Sequence, residues 1–589
     1  MRTFRRLLGF LRPYRRPLAL SLALAWAAMG MTVAIPWLLG EAVNAIEGQN
    51  RDDILPLVLA LLGAGVLRLG LTVARRLIAG KVSLNVEYDL RQAFYEHLQR
   101  LELGFFDAQQ TGQLMSRATV DLQSIRFFLG YGLIWVSQSL LTIAFAATVM
   151  FVIDPALAAI ALAPVPFLVA TATRYSRLNR PAEQEVQQRV GEVTASAEES
   201  ISGIRIVKAF ARERFVLERF RRSVDRVFEQ SMVSTRIQSF YTPFMGFLPT
   251  IGLAAVMLFG GRRVIDGGIS IGDFAAMTTY VIMLSGPVRW LGMSLSMAQR
   301  AVASGNRMFE ILDREPSMQT PPGTPPLPAG DGRVEIRDVT LRYDGSEPSL
   351  SGVSLDVAPG RTVALVGPTA SGKTSLVGLL ARLYDPSEGS VRIDGADLRE
   401  VDLASLRREI AFVADDSFLF SDTVAANIAY ARPDASLAEI ERAAKRAQAH
   451  DFITALPEGY DTVVGERGLT LSGGQRQRVA IARALLAEPR ILILDDATSS
   501  VDAQTETEIK RGLREAMAGR TTFIVAHRLS TISLADEIVV LDHGRVVDRG
   551  THEELLERCP LYGEIAEKGL EDSVYLQRDL EEREELARL

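Results

Sequence analysis

The chain has 589 residues, 65 Lys+Arg against 71 Asp+Glu, 48% hydrophobic and 23% charged residues, and one cysteine, Cys559. That length exceeds the usual domain of about 100–200 residues. The near balance of charge excludes a strongly basic nucleic-acid binder as the default, and the lone cysteine excludes an intrachain disulfide and cysteine-based zinc sites. A mean hydropathy of +0.13 is high for a soluble chain, yet the charged fraction is too high for an all-membrane one, so a membrane part joined to a soluble part is expected.

The N-terminal segment RTFRRLLGFLR, residues 2–12, reads as a basic amphipathic helix on the inner membrane surface. Six apolar stretches follow, each near the roughly 20 helical residues that cross a bilayer core. The expected helices cover about 17–40, 54–80, 127–153, 155–178, 239–261 and 274–299. Arg68 interrupts the second and Arg289 the sixth, and Asp154 marks a tight turn between the third and fourth. Ala23-Leu24-Ala25 fits a small-residue cleavage pattern, but the apolar run continues past it and five more spans follow, so a signal peptide is disfavoured. Six N-terminal arginines (2, 5, 6, 12, 15 and 16) keep that end cytoplasmic, and six spans return the chain to the same side. Arg262 and Arg263 in the third outer connection depart from the rule.

The two inner connections, 75–126 and 174–238, repeat apolar residues at helical spacing and read as helical extensions of the spans. They are expected to turn back near Thr111-Gly112-Gln113-Leu114 and near Gly203-Ile204-Arg205. Residues 1–312 thus form an all-α polytopic membrane domain. Residues 313–332, rich in Pro and Gly, read as a linker. Residues 333–558 form an α/β soluble domain, and 559–589 a helical tail, either solvated or touching a partner.

The soluble domain carries Gly367-Pro368-Thr369-Ala370-Ser371-Gly372-Lys373-Thr374, between the apolar strand Thr362–Val366 and the helix-like run from Ser375. This G-x-x-x-x-G-K-[ST] pattern aims backbone N–H groups at phosphate oxygens, with a helix N-terminus behind them. Lys373 then pairs with the β and γ phosphates of ATP, and Thr374 takes Mg²⁺. A second buried strand, Ile491–Leu494, ends in Asp495, expected beside the phosphate strand and able to hold Mg²⁺.

Leu471-Ser472-Gly473-Gly474-Gln475 stands about twenty residues before Asp495, and in company with the phosphate loop this order resembles the nucleotide-binding domain of ABC transporters. Six spans fused ahead of one such domain resemble a half-transporter of the ABC exporter type, over nearly the whole chain. Thr111-Gly112, Leu114, Ser116-Arg117 and Asp121 are similar to the family's first cytoplasmic turn region. The resemblance implies that Tyr343 stacks on adenine, the alternative being a tyrosine of the strand core. It implies that His527 contacts the γ-phosphate, and that Ser500-Val501-Asp502 belongs to a loop crossing to the opposite subunit.

Two positions depart from the family pattern. Asp496 stands where the family carries the Glu that polarises the attacking water, and Asp415 where it carries Gln. Aspartate is one methylene shorter, and a displacement of roughly an ångström can cost on the order of 10²-fold in rate. Each ATP of this family lies between one subunit's phosphate loop and the other's signature. The resemblance is therefore to the degenerate-site subunit of bacterial heterodimeric multidrug or peptide exporters. Its own ATP site would be slow, and its intact signature would complete a partner's site. The alternatives are a lipid flippase working as a homodimer with Asp496 at reduced rate, and an ATP-binding regulatory membrane subunit. Within the spans, Arg68 and Arg289 are candidate contacts to a polar or anionic substrate, or snorkelling residues. Phe240, Tyr241, Phe244, Met245, Phe247, Met277, Tyr280 and Met283 are candidate lining of an apolar cavity, or packing residues.

Overall fold

The computed structural model describes residues 2–343, 347–465, 468, 470–495, 503–526 and 528–568. They fall into two compact units, Met1–Arg100 with Gln110–Glu315, and Leu101–Gln109 with the chain from Pro316 onward.

The first unit is helical. A short helix α1 (Arg2–Gly9) precedes α2 (Arg12–Glu47) and α3 (Arg51–Arg100). The chain then passes through a short helix α4 (Leu103–Asp107), which belongs to the second unit, and returns to the first as α5 (Thr111–Ile153), α6 (Pro155–Ser202), the short α7 (Ile204–Ala209), α8 (Glu213–Ile265) and α9 (Ile271–Leu312). Five of these, α2, α3, α5, α6 and α8, are long and apolar enough to cross a membrane. The sixth expected span lies in α9, whose apolar stretch among the described residues runs Ile271–Leu284.

The sequence fixes the helix starts by local chemistry. Asp154 ends α5 in extended backbone and accepts a hydrogen bond from the Leu157 N–H at 2.8 Å, capping α6. Ser270 and Asp273 form a reciprocal capping box that opens α9. Arg262 and Arg263, expected in a loop, lie in the last turn of α8, and Arg263 pairs with the buried Asp154. This opposite charge offsets one of the two arginines that depart from the charge rule. Near the same end, a Cβ on Gly40 would stand 2.6 Å from the Gly272 carbonyl oxygen, so only glycine lets α2 and α9 approach this closely. Val33, Met150, Leu157, Met277 and Tyr280 fill the core there.

The amphipathic α1 forms as expected, and Leu7 is buried. A Cβ on Gly305 of α9 would touch Leu7 at 3.0 Å, and Arg6 reaches Asp313 at 2.6 Å. Part of its apolar face therefore covers α9 rather than lipid.

The first inner reversal occupies 101–110, and Thr111 opens the returning helix instead of forming the turn. The second begins at Gly203, as expected, and runs through α7.

The second unit holds two sheets. The antiparallel one, in the order β2-β1-β4-β5, is built from β1 (Val334–Leu341), β2 (Leu350–Val357), β4 (Glu388–Ile393) and β5 (Ala396–Asp397). The six-stranded one runs β10-β9-β3-β8-β7-β6. Its members are β3 (Thr362–Val366), β6 (Ile410–Val413), β7 (Ile491–Asp495), β8 (Thr521–Val525), β9 (Glu537–Asp542) and β10 (Arg545–Gly550), and only the β9–β10 edge pair is antiparallel. Every residue of β3, β7 and β8 is buried, as strands covered on both faces require. The linker is fastened to this unit: Leu327 is buried in its core and donates its N–H to Ser405 Oγ at 2.9 Å, and Arg490 donates to the Pro328 carbonyl.

Candidate nucleotide site

The phosphate loop leaves the carboxyl end of β3, which lies between β9 and β8. A Cβ on Gly367 would collide with the Leu541 carbonyl. Gly372 sits at φ +99° and a Cβ there would stand 2.7 Å from the Ser349 oxygen. Both positions require glycine, one for close approach and one also for left-handed backbone. Ala370 takes φ +64°, a strained value for alanine that a phosphate-binding turn accommodates.

The loop delivers the chain to α10 (Lys373–Leu380), whose N-terminus faces back along the loop. Lys373 is buried, and its Nζ donates to the Gly367 and Pro368 carbonyls at 2.8 Å each. Thr374 Oγ1 lies 3.4 Å from Asp495 Oδ1.

Asp495 ends β7 and is buried. It was expected beside the phosphate strand, but β8 stands between the two. The register carries Leu365 to Val525 and Val525 to Asp495 across the sheet. A hydroxyl from the first turn of α10 and a carboxylate from the end of β7 are hard oxygen donors, and this pair fits a Mg²⁺ that keeps waters and phosphate oxygens in its other positions. Asp415 follows β6, which pairs with β7, and is exposed at the same sheet edge. Asp496, His527 and Ser500-Val501-Asp502 lie outside the described residues.

Tyr343 follows β1 and is half buried. Its hydroxyl donates to Ser375 Oγ at 3.0 Å, and Ser375 also meets Ser349 Oγ at 2.9 Å. The residue therefore borders the first turn of α10. Its ring meets Tyr384 edge-on, with centroids 5.0 Å apart and planes at 84°. Tyr384 donates its hydroxyl to the carboxylate of Asp107 at the end of α4. Burial first, and then the Asp107 carboxylate, push the Tyr384 hydroxyl well above the ordinary tyrosine range. Sequence reading did not find Tyr384, Ser349 or Asp107. The Tyr384–Asp107 bond joins positions 277 residues apart, and no spacing rule reports such a contact.

The signature Leu471–Gln475 has a local physical explanation. Ser472 caps α11 (Gly473–Leu486): its Oγ accepts from the Gln475 N–H at 3.3 Å, and Gln475 Oε1 accepts from the Ser472 N–H at 2.9 Å. Leu471 and Gly474 are buried and anchor the turn, while Ser472 and Gly473 are exposed. The result is a rigid helix start presenting backbone N–H groups outward, suited to an anion.

The candidate substrate residues separate. Arg68 is exposed on α3, and the side chain of Arg289 lies outside the described residues. Met277 and Tyr280 are fully buried, with the Tyr280 hydroxyl donating to the Val33 carbonyl at 2.6 Å, so these two are packing residues and not cavity lining. Phe240 and Phe247 are exposed on α8.

Residues 18–288 match the family described as ABC transporter transmembrane region, and residues 350–499 the family described as ABC transporter. The uncharacterized ABC transporter ATP-binding protein YknU of Bacillus subtilis (strain 168) is 38% identical, over 96% of this chain and 97% of its own. An ATP-dependent lipid A-core flippase of Syntrophus aciditrophicus (strain SB) is 38% identical over 95% and 93%. A multidrug efflux ATP-binding/permease protein of Mycobacterium tuberculosis (strain ATCC 25618 / H37Rv) is 38% identical over 95% of this chain and 47% of that protein. Among solved structures, a bacterial Atm1-family ABC exporter with ATP bound aligns over 94% of this chain and 98% of its own, with a TM-score of 0.79 and 31% identity.

Proposed function

The chain belongs to the ABC transporter family, as an exporter half with a helical membrane region ahead of its ATPase domain, and on that premise we propose that it works as one member of a non-identical pair. The observation that carries this reading is an asymmetry in its own sequence. Asp496 and Asp415 replace the Glu and Gln expected for hydrolysis, while Leu471–Gln475 is intact. Two copies would build two slow sites. One copy with a partner that carries the Glu would build one slow site and one fast site.

In the fast site this chain contributes the exposed start of α11, closing over the γ-phosphate held by the partner. In its own site, the 367–372 loop and Lys373 hold the ATP phosphates, Tyr343 borders the adenine, and His527 reaches the γ-phosphate. Thr374, Asp495 and Asp415 are the residues that would hold Mg²⁺, which when bound would neutralise phosphate charge. Asp496, a methylene shorter than Glu, activates water poorly, so ATP is retained there. Binding closes the two ATPase domains, and hydrolysis in the partner's site reopens them. The inner helical turns pass that movement to the spans, which alternate between inward and outward openings. The cargo is a hydrophobic or amphipathic compound, a drug or peptide, moved outward across a bacterial inner membrane with both termini cytoplasmic.

A homodimeric lipid flippase is the second reading, favoured by the similarity to proteins named lipid A-core flippase. The experiment is a comparison of two substitutions in the co-purified complex. The partner's Glu→Gln is expected to abolish ATP turnover, and Asp496→Asn to leave most of it. Brisk hydrolysis by this chain purified alone would overturn the heterodimer.

A further inference from the structure

Two sheet edges face each other in the second unit. Among the described residues β2 pairs with β1 alone and β10 with β9 alone. Each therefore ends its sheet and carries a row of backbone N–H and C=O groups that no neighbouring strand takes up. The two edges touch at one end, where the Ser351 N–H donates to the Gly544 carbonyl at 2.8 Å. Beyond that contact a groove of about 620 Å³ lies between them. Ser351, Gly352 and Ser354 line it from β2, and Arg545, Asp548 and Arg549 line it from β10.

The groove is positive. Arg545 is exposed and, among the described residues, has no ion-pair partner. Arg549 is exposed too and reaches an acid, Glu537, only at 3.9 Å. Asp548, the acid of the lining, is already taken by Arg558, which donates to it at 3.0 and 3.1 Å. Between the two arginines, Val547 is 52% exposed. The register of β10 on β9 passes from Val546 to Asp548 without it, so Val547 is the extra residue of a bulge. A bulge and two cations keep an apolar or basic strand off this edge. They leave it open to an acidic one.

The closed end of the groove is tied to the phosphate loop. The Gly544 N–H donates to the Ser371 carbonyl at 3.1 Å. A Cβ on Gly544 would stand 2.6 Å from the Ser349 carbonyl oxygen, so the backbones are in direct contact there. Ser349 in turn meets Ser375 in the first turn of α10. Whatever fixes the start of β10 against β2 therefore also fixes the residues that carry the loop.

We propose that this groove docks an extended acidic segment of another protein, which adds as a strand between β2 and β10 and sets its carboxylates on Arg545 and Arg549. Main-chain hydrogen bonds to the two open edges supply the affinity, and the planar guanidinium groups select carboxylates. The docked strand braces the contact of Gly544 with Ser371, so nucleotide binds more tightly when the groove is filled. By reciprocity the strand binds more tightly when nucleotide is present. The site stands whether the chain pairs with a copy of itself or with a different subunit.

The test uses the full chain in nanodiscs of zwitterionic lipid and a dye-labelled heptapeptide of alternating Glu and Val, followed by fluorescence anisotropy. Saturable binding is expected. Its half-saturating concentration should rise by about ten-fold or more when Arg545→Gln and Arg549→Gln are combined. The thermal midpoint of that variant should hold, because neither side chain makes a close ion pair within the protein. The same peptide N-methylated at alternate residues keeps its charge but cannot pair along a strand edge, and it should bind at least about ten-fold more weakly. Saturating peptide should lower the half-saturating concentration of a fluorescent ATP analogue by about three-fold or more. Unchanged peptide binding by the double variant overturns the proposal, as does equal binding of a Lys and Val peptide by wild type. If the double variant fails to fold, the charge-swapped and N-methylated peptides decide on wild type alone. Equal binding of the N-methylated peptide, or of a single-stranded oligonucleotide of the same charge, would mark a plain polyanion patch and overturn strand addition. Nucleotide affinity untouched by saturating peptide would overturn the coupling to the phosphate loop.

Discussion

The hydroxyl of Tyr384 is donated to the carboxylate of Asp107, and the same ring stands edge-on to Tyr343, which in turn bonds Ser375 in the first turn after the phosphate loop. Asp107 closes α4, the short helix between α3 and α5. Three side chains therefore connect the phosphate-loop helix to the segment that joins two long apolar helices. Tyr384→Phe keeps the ring contact and removes only the hydrogen bond. A net loss of about 0.5–1.5 kcal/mol is expected, so folding should survive. Basal ATP turnover of the complex should stay near wild type, and its stimulation by transported compounds should fall several-fold. An ATPase assay with and without such compounds decides it. Equal stimulation in both proteins would show that the bond carries no signal.

A second pair predicts a pH effect. His552 Nδ1 and the Tyr562 hydroxyl lie 2.6 Å apart near the end of the described chain. Burial lowers the His552 imidazole below its ordinary 6.5, and burial pushes the Tyr562 hydroxyl up to about 12. The folded state therefore holds the imidazole neutral where the unfolded chain has begun to take a proton. Stability is full above the unfolded value near 6.5 and falls as pH drops from there toward the lower folded value, because the unfolded state binds more protons in that window. Wild-type ATPase domain in the intact protein should lose a few degrees of melting midpoint between about pH 7.5 and 5.5. His552→Gln should flatten that slope. A slope unchanged by the substitution would assign the effect elsewhere.

The legible parts of the molecule were those written in local patterns. Apolar runs of about twenty residues gave the long helices, and strand, glycine loop and helix in succession gave the phosphate site. Asp154 was readable as a turn because a lone acid followed by Pro155 ends one helix and caps the next. What stayed hidden depended on contacts between distant positions. Asp107 meets Tyr384, Arg263 meets Asp154, and β8 inserts between β3 and β7. Arg75 and Arg76 look alike in sequence, yet one is buried and the other exposed. Only the packing of α3 against its neighbours tells them apart.

The Asp154–Arg263 pair yields a graded prediction, because Asp154 has two roles. Its carboxylate caps α6 through the Leu157 N–H, and it neutralises Arg263. Asp154→Ala removes both. The cap is worth about 1 kcal/mol, and breaking a fully buried pair about 3–5 kcal/mol. Arg263 is half exposed, so the ionic part is smaller, and a total of roughly 2–4 kcal/mol is expected. Asp154→Asn keeps a capping oxygen and should cost less than Asp154→Ala. Thermal unfolding of the detergent-solubilised protein should rank wild type above Asn and Asn above Ala. Equal midpoints for the two variants would remove the capping role.

The last prediction isolates the methylene on which the heterodimer rests. If Asp496 is too short to polarise water, Asp496→Glu lengthens the carboxylate by the missing group, and Asp415→Gln removes the extra negative charge after β6. The double variant, purified without any partner, then carries two complete sites in a homodimer, since each copy already brings its own Leu471–Gln475. Its ATP turnover should exceed that of the wild-type chain alone by on the order of 10²-fold, and adding Lys373→Ala should cancel the gain. Asp496→Glu alone should recover the larger share, because the shortfall in reach concerns the water and Asp415 concerns the charge around the metal. A double variant as slow as wild type would show that the limitation lies in how two identical chains pair, and not in the length of one side chain.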